Sequence, residues 1–103
     1  MSGSSSLTGE SREQVQNIAT IMRAYPSVHV TVGGHTDNRG NAAANRELSR
    51  ARAEAVADGL TKAGVPADRL YPQGFGDSKA IADNSTEAGR TQNRRVTLEV
   101  TAR

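Results

Sequence analysis

A short β-branched run that stops on two glycines, followed after a loop by a long amphipathic segment, limits the folds open to this chain more than anything else in it. In Val28-His29-Val30-Thr31-Val32, residues 28, 30 and 32 share one face of a strand, with His29 and Thr31 on the other. Gly33-Gly34 ends the strand and lets the backbone come close to a neighbour, and His35-Thr36-Asp37 follows. From about Asn41 the apolar period becomes helical. Leu48, Ala55, Val56, Gly59, Leu60 and Ala63 fall on one face, opposite Arg46, Glu47, Arg50, Glu54, Asp58 and Lys62.

Arg52 interrupts that division. Steps of four from Leu48 pass through Arg52 to Val56 and Leu60, which places a guanidinium in the row that faces the sheet. A buried cation without a partner is costly, so Arg52 calls for an anion from the protein or from a ligand. Asp37, at the C-terminal end of the strand, is the candidate this strand–loop–helix unit offers. Three readings stand: a structural ion pair, an arginine whose head group reaches water along its aliphatic stem, or a carboxylate and a guanidinium that receive the two charges of an amino-acid zwitterion.

The rest of the chain supplies the layers around this unit. Met1 to Leu7 is rich in Ser and Gly and reads as a loop or tail. Thr8 or Ser11 caps a first helix, Ser11 with Gln14 forming a capping box, with Val15, Ile18, Met22 and Tyr25 as its buried face and Pro26 as its end. Gly64 stops the second helix, and Leu70 to Phe75 reads as a strand that Pro72 confines to an edge. Gly76 to Arg90 reads as a long polar loop, and Val96, Leu98 and Val100 mark a half-buried antiparallel strand over 94–101. The expected fold class is therefore α/β (α+β), a two-layer sandwich in one domain.

Composition narrows the function classes. With two tyrosines, one phenylalanine and no tryptophan, the core must be built from Val, Ile, Leu and Ala. The absence of cysteine excludes a disulfide framework and a thiolate metal site. The net charge of +2 arises from 13 basic and 11 acidic side chains that are interleaved. Arg90, Arg94 and Arg95 lack stacking aromatics, so no nucleic-acid partner is expected. His29 and His35, on a strand and at a turn, have no third metal ligand beside them, and no nucleophile triad or phosphate loop is present. Neither an enzyme nor a cofactor is expected. No apolar run reaches the roughly 20 residues a membrane span needs, and no signal peptide opens the chain.

Gly34-His35-Thr36-Asp37-Asn38-Arg39-Gly40, Asn45-x-x-Leu48-Ser49-x-x-Arg52-Ala53-x-x-Val56, Gly64, Gly74-x-Gly76, Asn84-Ser85-Thr86, Gly89-Arg90 and Asn93-Arg94-Arg95-Val96 together resemble the OmpA-like C-terminal domain. The resemblance runs from about Leu7 to Val100, giving a domain over 7–103 and a tail or loop remnant over 1–6. It implies a β-α-β-α-β-β fold with two helices on one face of a mixed sheet, and non-covalent binding of peptidoglycan. It also implies that Asp37 and Arg52 grip the diaminopimelate of the stem peptide, with Thr36, Asn45, Leu48 and Arg94 lining the cleft. The parent protein would be membrane-anchored, with this domain in the periplasm as the soluble part of an outer-membrane or, alternatively, inner-membrane protein. The alternative function is a protein-interaction module of the envelope that has lost wall binding.

Two departures from the family pattern carry expectations of their own. The family's first strand is not recognisable, which leaves the last strand an open edge able to pair with a second copy. Ala80 stands where many relatives have Pro, a change expected to alter loop stiffness more than chemistry.

Overall fold

The computed structural model describes residues 9–102, with side chains from 12 to 101. In chain order the elements are α1 (Gly9–Ala24), β1 (His29–Gly34), α2 (Ala42–Lys62), a 3-10 turn at Ala67–Arg69, β2 (Leu70–Gly74), α3 (Glu87–Asn93) and β3 (Val96–Ala102). The strands form one three-stranded mixed sheet in the order β2-β1-β3. β1 runs parallel to β2, with Val30 opposite Leu70, and antiparallel to β3, with Val32 opposite Leu98. Pro72 lies on β2, at an edge, where its missing N–H leaves no ladder bond unmade. The expected tail over 1–6 and the capping role of Thr8 lie outside the described residues. Ser11 falls inside α1 and so does not cap it.

The glycines of β1 and β2 set how close α2 lies to the sheet. A Cβ on Gly34 would meet the Ser49 carbonyl oxygen at 1.9 Å, and one on Gly74 would meet the Arg46 carbonyl oxygen and the Arg50 amide nitrogen, each at 2.6 Å. With the backbones this close, small residues take the centre of the contact. Ser49, Ala53, Val56, Ala57 and Leu60 are the buried residues of α2, while Leu48 and Ala55 are only half-buried. The apolar stripe is therefore rotated from the one expected, and Arg52 lies on its flank. On the outer side Arg50 bridges Glu47 and Glu54. Asn41 caps the helix, accepting from the amides of Ala43 and Ala44. Gly64, at φ 106°, ends it, and the following Val65 amide donates to the Leu60 carbonyl.

α1 buries Val15, Ala19 and Met22 against this layer, with Ile18 partly covered. Tyr25 does not join them and is 62% exposed. α1 stops at Ala24, and the turn closed by the Val28 amide on the Tyr25 carbonyl takes Tyr25 out of helical phase. The connection is sealed by Arg69, 6% exposed, whose guanidinium donates to the carbonyls of Val28, Met22 and Tyr25. The Met22 and Tyr25 carbonyls also accept from the amides of Tyr25 and Val28, so Arg69 adds a second donor to each where the helix ends and the turn begins.

β3 differs from the half-buried strand expected. Val96, Leu98 and Val100 share the face of Val30 and Val32 by register, yet are 38%, 39% and 49% exposed. α2 packs on β1 and β2, and α1 packs on α2, so the helix layer stops short of β3. Among the described residues the outer edge of β3 pairs with no strand. Nor is any helix among them long and apolar enough to cross a membrane.

Gly34→Ala should lower unfolding stability by at least about 3 kcal/mol, because the new methyl group meets backbone, not a side chain able to move aside. A urea midpoint unchanged from the parent chain would show that α2 does not depend on this contact.

Candidate functional site

The C-terminal end of β1 is fixed on both sides. His35 and Arg95 exchange backbone hydrogen bonds, continuing the β3 pairing, while the Phe75 amide donates to the Gly34 carbonyl and the Thr36 amide to the Gly76 carbonyl. The Gly76 amide in turn donates to the Ser49 hydroxyl, joining the loop after β2 to α2. Asp37 follows this clamped end and is only 7% exposed. Its Oδ1 accepts the Arg39 amide at 3.0 Å and its Oδ2 accepts Arg94 Nη1 at 2.6 Å.

Burial alone would push the Asp37 carboxyl up. The Arg39 amide, the Arg94 hydrogen bond and the two guanidinium charges outweigh it, and the net direction is down, so the group stays ionised. Arg52, half-buried on α2, is within electrostatic reach of the same pair. Desolvation and the Arg94 charge oppose its own charge, and Asp37 supports it. The Asp37 carboxylate thus stands in the field of three guanidiniums, those of Arg39, Arg94 and Arg52, and the last two oppose each other's charge.

The other expected cleft residues divide by role. Asn45 donates to the Arg39 carbonyl at 2.8 Å and so braces the Asp37 loop against α2. Thr36 is buried and its hydroxyl donates to the Asp37 carbonyl, which shapes the loop. Leu48 is half-buried on α2, one turn before Arg52. Arg94 is at the centre, linking Asp37 to α3.

The sequence reading missed α3 by taking 76–90 as loop. Thr86 caps it, its hydroxyl accepting from the Gly89 amide. Glu87, Arg90, Thr91 and Arg94 then follow at helical spacing along one face, which was the available signal. Glu87 Oε1 accepts from Arg94 Nη2 at 2.8 Å and its Oε2 from Arg90 Nη2 at 3.0 Å. Arg94, first of all, then Arg90 hold the Glu87 carboxyl down at about 2. The segment before α3 is tied by Asn93, whose side chain accepts from the amides of Ile81 and Ala82 and donates to Ala82 and Asn84.

On the opposite side of β1, His35 is 2% exposed, stacked on Phe75 at 5.3 Å, with Nε2 3.0 Å from the Thr97 hydroxyl. Burial, then the charges of Arg95 and Lys79, lower its pKa to about 4, so the ring is neutral. Among the described residues no group of three or more His, Cys, Asp or Glu side chains could hold a metal. An open groove of about 390 Å³ runs between α2 and β2, lined by Glu54, Ala57, Asp58, Thr61, Ala67, Leu70 and Pro72. None of the expected site residues borders it.

The family model described as the OmpA family matches residues 1–94, and the chain belongs to that family. Over 88 residues it is 48% identical to outer membrane porin F of Pseudomonas fluorescens, covering 85% of this chain and 27% of that one. It is 41% identical to the peptidoglycan-binding protein ArfA of Mycobacterium tuberculosis, over 85% of this chain and again 27% of the relative. The chain thus spans about a quarter of the length of these two curated relatives. Among solved structures, the peptidoglycan-associated lipoprotein of Burkholderia pseudomallei superposes with a TM-score of 0.90 at 32% identity, covering 95% of this chain and 83% of that one. The α+β fold and its mixed sheet are those of this family's domain.

The neutral His35 sets a pH dependence of stability. Its folded pKa of about 4 lies below the 6.5 of an unfolded histidine, so the unfolded chain takes up the proton first as pH falls. This contribution is intact above 6.5 and is lost progressively down to about 4. Urea midpoints measured across that window should fall with pH in the parent chain and fall less in His35→Gln. Equal slopes would remove His35 as the cause.

Proposed function

We propose that this chain is a non-covalent peptidoglycan-binding module that holds an envelope protein to the cell wall from the periplasm. Its ligand is the diaminopimelate of the stem peptide, received between Asp37 and Arg52. The observation that supports this most directly is an ionised carboxylate and a half-buried guanidinium in each other's field at the fixed end of β1. Family membership and relatives named for peptidoglycan support the reading of peptidoglycan as the ligand class.

Diaminopimelate carries a second amino-acid centre at the end of its side chain. In an uncrosslinked stem that centre is a free zwitterion. Asp37 accepts its ammonium while Arg52 forms a forked, charge-assisted contact to its carboxylate. Lysine at the same position presents the ammonium without the carboxylate and leaves Arg52 without its anion. A site built around a polar group rejects the analogue that lacks it.

Calorimetric titration should show heat for meso-diaminopimelate and none for L-lysine, and purified sacculi should retain the chain. Asp37→Asn or Arg52→Gln should each weaken the interaction by about 2 to 3 kcal/mol, on the order of a hundredfold, with the unfolding transition preserved. Equal heats for the two amino acids, or full retention of either variant on sacculi, would remove the zwitterion site. Failure of the parent chain to bind sacculi or diaminopimelate would favour a protein-contact role.

A second copy of the chain is the further partner we propose, on one observation. β3 offers an apolar row of Val96, Leu98 and Val100 beside an edge that no described strand pairs. Exposed edges of this kind pair with other strands. Sedimentation equilibrium should show a dimer that Leu98→Lys dissociates, and a monomer at every concentration would exclude it.

A further inference from the structure

Resting on the reading of Asp37 as the ammonium acceptor, we propose that Glu87 is a positioning residue for this site: it takes over Arg94 from Asp37 when the ligand's ammonium arrives.

Both oxygens of Asp37 are engaged, Oδ1 by the Arg39 amide and Oδ2 by Arg94 Nη1 at 2.6 Å. A carboxylate has lone pairs to spare, but a guanidinium and an ammonium on one oxygen repel each other. An ammonium that approaches Oδ2 therefore competes with Arg94 for it, and its entry there requires the Arg94 contact to loosen. Side chains of Asp37 and Arg94 are only 10% and 20% exposed, so a guanidinium released with nothing to hold it would carry a desolvation penalty.

The geometry of α3 removes that penalty. Arg94 Nη2 already donates to Glu87 Oε1 at 2.8 Å and to the Thr91 hydroxyl at 3.0 Å. Letting go of Asp37 gives up one hydrogen bond at Nη1, while the pair at Nη2 persists and serves as a pivot. Glu87 is itself held by Arg90 Nη2 at 3.0 Å, so it does not follow Arg94 toward the ligand. At 61% exposure it keeps its own hydration while it holds Arg94 through Nη2. Asp37 keeps its backbone bond to Arg39 throughout and stays aimed at the ligand. Without Glu87, Arg94 has Asp37 as its only anionic hydrogen-bond partner among the described residues, and the competitor wins more often.

The consequence is specific to ligands that bring a cation. Calorimetry with meso-diaminopimelate and with pimelate, the dicarboxylate lacking both amino groups, separates the two cases. Glu87→Gln should lower the preference for diaminopimelate over pimelate about tenfold, with the pimelate affinity within about twofold of the parent chain, and Glu87→Asp should restore most of the preference. A merely structural role for the first residue of α3 would lower both affinities together and leave their ratio unchanged. That result, or no change in either affinity, overturns the handover and leaves the assignment of Asp37 and Arg52 standing. A parent chain that binds no diaminopimelate overturns both.

Discussion

The close approach of α2 to the sheet is the contact on which the rest of this structure depends. Backbone meets backbone at Gly34 and again at Gly74, with Ser49, Arg46 and Arg50 on the helix side. Any side chain at either glycine would lift the helix, because what it meets is main chain. The height of α2 decides which residues form its buried centre, and the answer is the small ones, Ser49 and Ala53, where main chain is nearest. It also decides where Arg52 lies. One residue before Ala53, its stem flanks the stripe and its head is carried to the end of the sheet where Asp37 emerges.

Rigidity at that end has a chemical consequence. Asp37 sits one residue beyond Thr36, whose amide is bonded to Gly76, and two beyond His35, which is paired with Arg95 in both directions. The carboxylate is thus presented by a loop whose base cannot shift toward either neighbour, and Asn45 fixes the far side of the loop through Arg39. Held in this way, the group does not have to be ordered when a partner arrives, which is where affinity is most easily lost. The neutral His35 ring belongs to the same construction. It is stacked on Phe75 beneath the strand, with the Lys79 ammonium 4.5 Å from the centre of that phenyl ring, and adds no charge near the site, while Phe75 and Thr97 fill the space at Gly33.

Much of this was legible in the residues, and the parts that were not have identifiable reasons. The strand through Val30 and Val32, the helix ending at Gly64 and the edge position of Pro72 follow from local pattern, and local pattern governs them in the structure. The rotation of the α2 stripe was hidden because hydrophobic periodicity weights Leu48 and Val56 and gives little weight to Ser49, whose burial follows from a glycine on another element. α3 has seven residues, too few for a period to stand out in a polar stretch. Arg69 carries no local signal of burial, and only the fold brings it under the carbonyls at the end of α1. Arg94 was singled out by resemblance, but its bond to Asp37 spans 57 residues and has no local trace.

The mixed direction of the sheet explains why those distant residues meet. β1 is central, with β2 parallel on one side and β3 antiparallel on the other. At the C-terminal end of β1 the chain leaves β1, leaves β2 and enters β3, so the loop carrying Asp37, the glycine turn at Gly76 and the run-in through α3 to Arg94 converge on one rim. The N-terminal half of α2 begins there as well, because it is the continuation of β1. Had all three strands been parallel, the segment before β3 would enter at the opposite end, and neither Arg94 nor Glu87 would be near Asp37. Charge is concentrated at this rim by topology. Asp37 is tuned by the Arg39 amide of its own loop and by Arg94 at the end of α3, and a shift of α3 by a single residue would turn the face that Glu87 and Arg94 share away from Asp37 while leaving the sheet, α2 and Arg52 where they are.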